Sequence, residues 1–221
     1  MTVQEQIKDI RSQLRLYMNG VVSASMRKSG LDYKLNFGVE LPRIKEIAAT
    51  CEPSVALAES LWVEQTRELR ILATLLYPRE EFTVETANHW LKEVGNIEIA
   101  NLLVMNQLQH IEGVCPLSFQ WIADKDELIQ TIGYATISRL LNRGVEMDER
   151  AASEFVNQAV VAAVSGEFNL RNASIMALKN FMQQSPNNKY TILAAVEPYA
   201  DSSDEFAKVL YDIIHNEASY L

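Results

Sequence analysis

Glu68 and Arg70 sit two residues apart inside "LWVEQTRELRILATLL", residues 61–76, where Leu61, Leu69, Leu72, Ala73 and Leu76 recur as one face of a helix should. A carboxylate and a guanidinium set among such residues either line a charge-binding surface or bridge neighbouring elements. On residue pattern alone they read as solvated charges or as bridges between repeats. Other chemistry-bearing types are sparse. His89, His110 and His215 are scattered without metal-ligand spacing, and Cys51 and Cys115 belong to no CxxC or Cys/His group. No metal site or disulfide framework is expected, and both thiols are expected to be buried. No phosphate-cradling glycine loop or nucleophile triad is present, so no cofactor is expected. Trp90 and Trp121 lie on apolar stripes and read as packing residues.

Cations are the remaining chemical resource. Phe168 to Val196 contains Arg171, Lys179 and Lys189 and no acidic residue, and Arg139 and Arg143 lie just upstream. These five are the candidate contacts for an anionic partner. The chain carries a net charge of −9. Binding to a nucleic-acid backbone rests on Lys and Arg displacing counterions, so an acidic chain must gather its few cations on one face.

The elements that would position these residues are all helical. Helices are predicted over Val3–Tyr17, through "VVSASMRKSG" to Gly30, from Pro42, from Pro53 to near Trp62, through the 61–76 stretch to Pro78, over "TVETANHWLKEV" to Gly95 and over "IEIANLLVMNQLQHI". A short one opened by Pro116 follows. Longer ones are expected over Asp126–Asn142, Asp148–Val164, Glu167–Gln184, Lys189–Glu197 and Ser202–Asn216, the last with Ser202 and Glu205 as a capping box. "LDYKLNFGVE" reads as an irregular connection. Short helices in such number, without a strand, exclude a simple bundle. They predict an all-α fold, an α-α superhelix of HEAT-like or armadillo-like pairs with a period of roughly 35 to 45 residues. The expected organisation is a single domain over 1–221, with N-terminal helices in 1–35 and stacked pairs over 36–217. No run approaches the ~18 apolar residues of a membrane helix, and the charged N-terminus lacks the apolar centre of a secretory signal. A cytoplasmic protein is expected.

The run Leu61, Trp62, Glu68-x-Arg70-x-x-Ala73, preceded by "FGVELPRIKEIA" (37–48), resembles the AlkD-type DNA alkylation repair family. "FNLRNASIMALKNF" (168–181) resembles that family's F-x-I-R-K-A-x-x-W-A-L-R segment, with Phe168, Arg171, Ala173, Ala177 and Leu178 at matching places and Lys179 replacing an arginine. The resemblance spans about residues 35–185. It implies a HEAT-like solenoid that excises cationic N-alkylated purines from duplex DNA held in a concave basic groove, using two tryptophans, an aspartate and an arginine. An alkylated purine is already a cationic leaving group. What accelerates its loss is negative charge near the oxocarbenium-like sugar, with aromatic faces against the deoxyribose.

Carried over residue by residue, the family's four positions fall on Ile97 and Asn101 (tryptophan and aspartate), Tyr134 (arginine) and Met176 (second tryptophan). All four are substituted. Glu98 lies three residues before Asn101, about 60° away around a helix, and Arg139 lies five past Tyr134. The resemblance therefore implies a divergent member that binds alkylated or duplex DNA with N-alkylpurine glycosylase activity weak or lost. If it is active, Asn101 orients water in place of a carboxylate. The alternative is a HEAT-repeat scaffold with a protein partner and no DNA role.

Overall fold

The structure is a computed structural model and describes residues 2–31 and 33–221. The described residues form thirteen α-helices, three single 3-10 turns and no strand beyond one parallel bridge, Leu35 to Thr66. The chain divides into two compact units, Met1–Glu112 and Gly113–Leu221. The first holds α1 (Val3–Leu16), α2 (Gly20–Lys28), α3 (Leu41–Ala49), α4 (Val55–Trp62), α5 (Arg67–Leu76), α6 (Val84–Leu91) and α7 (Ile97–Asn106). The second holds α8 (Val114–Ile122), α9 (Glu127–Asn142), α10 (Glu149–Ala162), α11 (Phe168–Gln184), α12 (Pro186–Val196) and α13 (Glu205–Ala218).

Most helix starts follow from side chains that accept the free N–H groups of the first turn. Thr2 and Glu5 form a capping box on α1, and Asn96, Asp126 and Asp148 cap α7, α9 and α10. Several starts differ from expectation, among them α8, which begins at Val114 rather than Pro116. Ser54, rather than Pro53, opens α4 by accepting from the Leu57 N–H, and Pro186 opens α12 three residues before Lys189. At α13 the cap is Asp204, whose carboxylate accepts from the N–H groups of Phe206 and Ala207, while Ser202 serves Asp204 itself. A carboxylate beside the positive end of a helix outcompetes a hydroxyl two residues earlier.

The 61–76 stretch is two helices. Between Trp62 and Arg67 the backbone leaves the helix to pair with residue 35: the Leu35 N–H donates to Gln65 O (3.2 Å) and the Arg67 N–H to Leu35 O (2.9 Å). The apolar period continues through the break because both helices bury the same side of the unit.

Side-chain hydrogen bonds reveal the repeat that sequence similarity hides. In the first unit they connect residues 31 apart: Trp62 Nε1 to Glu93, Arg67 to Glu98 and Trp90 Nε1 to Glu59. Asn106 to Thr74 spans 32. Partners advance together along both helices, so α5 and α7 run parallel with α6 between them, as successive helical pairs do. Trp62 of α4 and Trp90 of α6 stack at 4.0 Å with an interplanar angle of 4°. In the second unit the offset is 42 to 43. Asn180 donates to Ser138 and Gln184 to Leu141 O, which makes α9 and α11 parallel. The core there is built on Tyr134, Phe155 and Phe181, with α8 tight against α9 at Gly133.

Cys51 and Cys115 are half-buried free thiols, contrary to the expectation of full burial, and burial raises the pKa of both. No described helix is long and apolar enough to cross a membrane.

Candidate nucleic-acid interface

In the first unit a chain of charges links the 37–39 loop, α5 and α7. Glu68 is fully buried. Its carboxylate accepts from the N–H groups of Phe37 (3.1 Å) and Val39 (3.2 Å) and pairs with the Arg67 guanidinium at 3.2 Å. Arg67, 2% exposed, also donates to Val39 O at 2.8 Å and grips Glu98 with two nitrogens, at 2.6 and 2.8 Å. Tyr33 closes the chain by donating to Glu98 at 2.7 Å. Burial opposes the charge on Arg67, but Glu98 and Glu68 outweigh it and hold the guanidinium above its ordinary range. Tyr33 is pushed up by burial and then by Glu98. The function of this network is mechanical. Glu68 fastens the 37–39 loop onto α5, and Arg67 ties α5 to α7 one repeat away.

Arg70 does a related task with less support. Its guanidinium lies 4.9 Å over the Trp62 ring and donates to Glu93 O, while its Nε is buried without a partner. Burial lowers its pKa. Glu68 is thus wholly inside the scaffold, whereas Arg70 is half-buried at its edge.

Glu98 is the only carboxylate on α7. It is committed to Arg67 and Tyr33. Asn101, one turn further on, is exposed and has no hydrogen-bond partner among the described residues, and Ile97 is half-buried. An amide can orient a water there, but it supplies no charge.

In the second unit the candidate cations sort by helix geometry. Ser138 faces Asn180 across the parallel α9 and α11. Each residue step turns about 100°, so the residue after Ser138 and the residue before Asn180 point to one side of the seam. Arg139 and Lys179 therefore share a side, joined by Arg143 from α9 and by Met176 from α11, which is 51% exposed. Tyr134 is turned about 140° from Arg139. It is 1% exposed, its phenol is raised by burial, and it packs in the core with Phe155 and Phe181. At this register the family's arginine position points into the core.

Lys179 and Arg171 are held by neighbours, and Arg143 has a contact of its own. Lys179 lies 2.6 Å from Glu217, whose pKa the contact lowers. Arg171 donates to Ser165 O at 2.6 Å and lies 4.2 Å over the Phe206 ring, so it anchors the α10–α11 loop against α13. Arg139 is exposed on α9 and Arg143 is exposed at its C-cap, while Lys189 is half-buried on α12 with no ion pair among the described residues. No three His, Cys, Asp or Glu side chains are grouped to hold a metal among the described residues. The sequence reading missed Arg67 and Tyr33. The available signal was the spacing of 31 from Arg67 to Glu98, the same as from Glu59 to Trp90.

Comparison with known proteins agrees with this architecture. The model of the family described as DNA alkylation repair enzyme matches residues 10–187. No curated protein matches the sequence significantly. A solved structure described as "a new family of proteins related to the HEAT-like repeat DNA glycosylases with affinity for branched DNA structures" superposes with a TM-score of 0.77. It covers 96% of this chain and 94% of its own at 15% identity, which shows a shared HEAT-like fold. A structure of Cex1p covers 80% of this chain and 39% of its own, at 12% identity and a TM-score of 0.48.

Proposed function

Because the chain belongs to the DNA alkylation repair enzyme family, whose model spans residues 10–187, we propose that it is a cytoplasmic DNA-binding relative in which N-alkylpurine excision is weak or lost. The observation that carries the loss is Glu98. Excision needs unneutralised negative charge beside the sugar as the glycosidic bond lengthens, and the only carboxylate of α7 is held by two nitrogens of Arg67. Asn101 leaves the family's aspartate position uncharged, and Tyr134 is turned into the core.

Binding rests on different support. The neighbour of matching fold has affinity for branched DNA, and Arg139 and Arg143 put two exposed cations at the C-terminal end of α9. With Lys189 they serve as backbone contacts, while Lys179 and Arg171 keep the helices in place. Such binding weakens steeply with salt, with a slope of about −0.9 per phosphate contacted.

The test is single-turnover release of methylated purine from alkylated duplex DNA, with binding to duplex and four-way junction followed in the same samples across a salt series. Salt-dependent binding with release no faster than spontaneous loss is expected. Release at the rate of an active glycosylase overturns the loss of excision. Absence of binding to any DNA at low salt overturns the DNA reading and leaves a protein-binding scaffold.

A further inference from the structure

The segment around α1 and α2 combines exposed cations with exposed apolar side chains. Residues 10–39 contain five basic residues (Arg11, Arg15, Arg27, Lys28, Lys34) and one acidic residue, Asp32, in a chain whose net charge is −9. Arg11 is paired with Glu64. Arg15, Arg27, Lys28 and Lys34 are exposed and form no ion pair among the described residues. In the same segment Leu16 is 82% exposed, Met18 55% and Val21 81%.

α2 is held along one edge only. The Asn19 N–H donates to Phe37 O (2.9 Å), Ser23 Oγ donates to Asn36 O (2.9 Å), and Ser23 is the helix's single buried residue. That edge rests on the loop clamped by Glu68. The outward stripe of α2 is Val21, Ala24, Ser25 and Lys28, small residues ending in a cation. A rigid mount thus presents an apolar tip flanked by unpaired positive charge.

Resting on the DNA-binding reading above, we infer that this segment docks at the branch point of DNA, with Leu16, Met18 and Val21 against unstacked base faces and Arg15, Lys28 and Lys34 on the converging phosphates. Continuous duplex offers no use for the tip, since its base faces are covered by stacking. A junction exposes them, and apolar side chains capping such faces are a recurrent way of gripping distorted DNA. The charge complementarity selects an anionic partner, and the apolar tip selects one with exposed flat faces over a plain duplex.

The experiment measures affinity of the full chain for a four-way junction, for duplex of equal length and for anionic lipid vesicles, over a range of salt. Three proteins are compared: the parent, a charge variant (Arg15→Gln, Lys28→Gln, Lys34→Gln) and a tip variant (Leu16→Ser, Met18→Ser, Val21→Ser). All six side chains are exposed, so the variants should melt with the parent. The charge variant is expected to reduce the salt slope on the junction by about 2.7. The tip variant is expected to lose about tenfold in junction affinity, with its duplex affinity and salt slope unchanged. Variants that bind the junction like the parent overturn the inference and leave the DNA reading intact. A parent that binds no DNA overturns both, and vesicle binding that depends on the tip, without an effect on the junction, assigns the segment to membranes instead.

Discussion

Arg67 and Glu98 stand one structural repeat apart, 31 residues, and meet through two guanidinium nitrogens at 2.6 and 2.8 Å. The contact binds α5 to α7 and neutralises the only carboxylate of α7. One pair therefore serves stability and accounts for the proposed loss of activity.

Removing one partner from a buried ion pair leaves the other uncompensated, which typically costs about 3–5 kcal/mol. Arg67→Leu leaves Glu68 buried against two N–H groups and Glu98 without its cation. A loss of stability in that range is expected in urea unfolding followed in the first unit. Glu68→Ala is expected to destabilise too, since it frees the N–H groups of Phe37 and Val39. A Glu68→Ala protein that melts with the parent but no longer binds DNA would reverse the structural assignment.

Asn101→Asp restores a carboxylate on an exposed face of α7 but not the aromatic and cationic partners, because Ile97, Tyr134 and Met176 remain. Release of methylated purine is expected to stay at the parental rate, measured under single-turnover conditions. A rise would mean that the carboxylate alone had been limiting.

At Gly133 an added Cβ would lie 2.6 Å from the Ile122 side chain and 2.8 Å from the Ile122 backbone N. The backbone atom cannot swing aside, so α8 and α9 must separate. Gly133→Ala is expected to destabilise the second unit by about 1–3 kcal/mol, read as a lower melting temperature.

Gly38 combines φ of +73° with a Cβ position 2.1 Å from Asn19 O. Gly38→Ala meets both backbone strain, of order 1–3 kcal/mol, and a collision with the edge that carries α2. Faster amide exchange at Asn19 and Ser23 is expected, before any change in α9 or α11.

Tyr33 keeps its proton above the ordinary value of 10.0 because burial and Glu98 both oppose the phenolate. Its contribution to stability is complete below pH 10 and is lost above it, where the unfolded chain ionises and the folded one does not. Stability is expected to fall as pH rises from about 10, and Tyr33→Phe should flatten that limb. An unchanged alkaline profile would show that the phenol does not carry it.

Much of the architecture was legible from local signals. The 3.6-residue apolar period and the capping residues located nearly every helix, since both act within one or two turns. The motif around Glu68, Arg70 and Arg171 indicated the family, and the family model agrees. The pattern around Ile97 and Asn101 puts uncharged residues where the resemblance implies a tryptophan and an aspartate. Other features depended on residues distant in sequence. Glu68 and Arg67 lie on an apolar helix in either reading, and only the approach of the 37–39 loop and α7 turned them into a buried clamp. The break at 63–66 follows from pairing with Leu35, which no local period encodes. Lys179 and Arg139 look alike in sequence, yet Glu217 occupies one of them, because α13 packs beside α11. The sequence by itself determined the helices and a family. Tertiary structure decided which charges remain for a ligand, because burial and pairing are set by neighbours that only folding brings together.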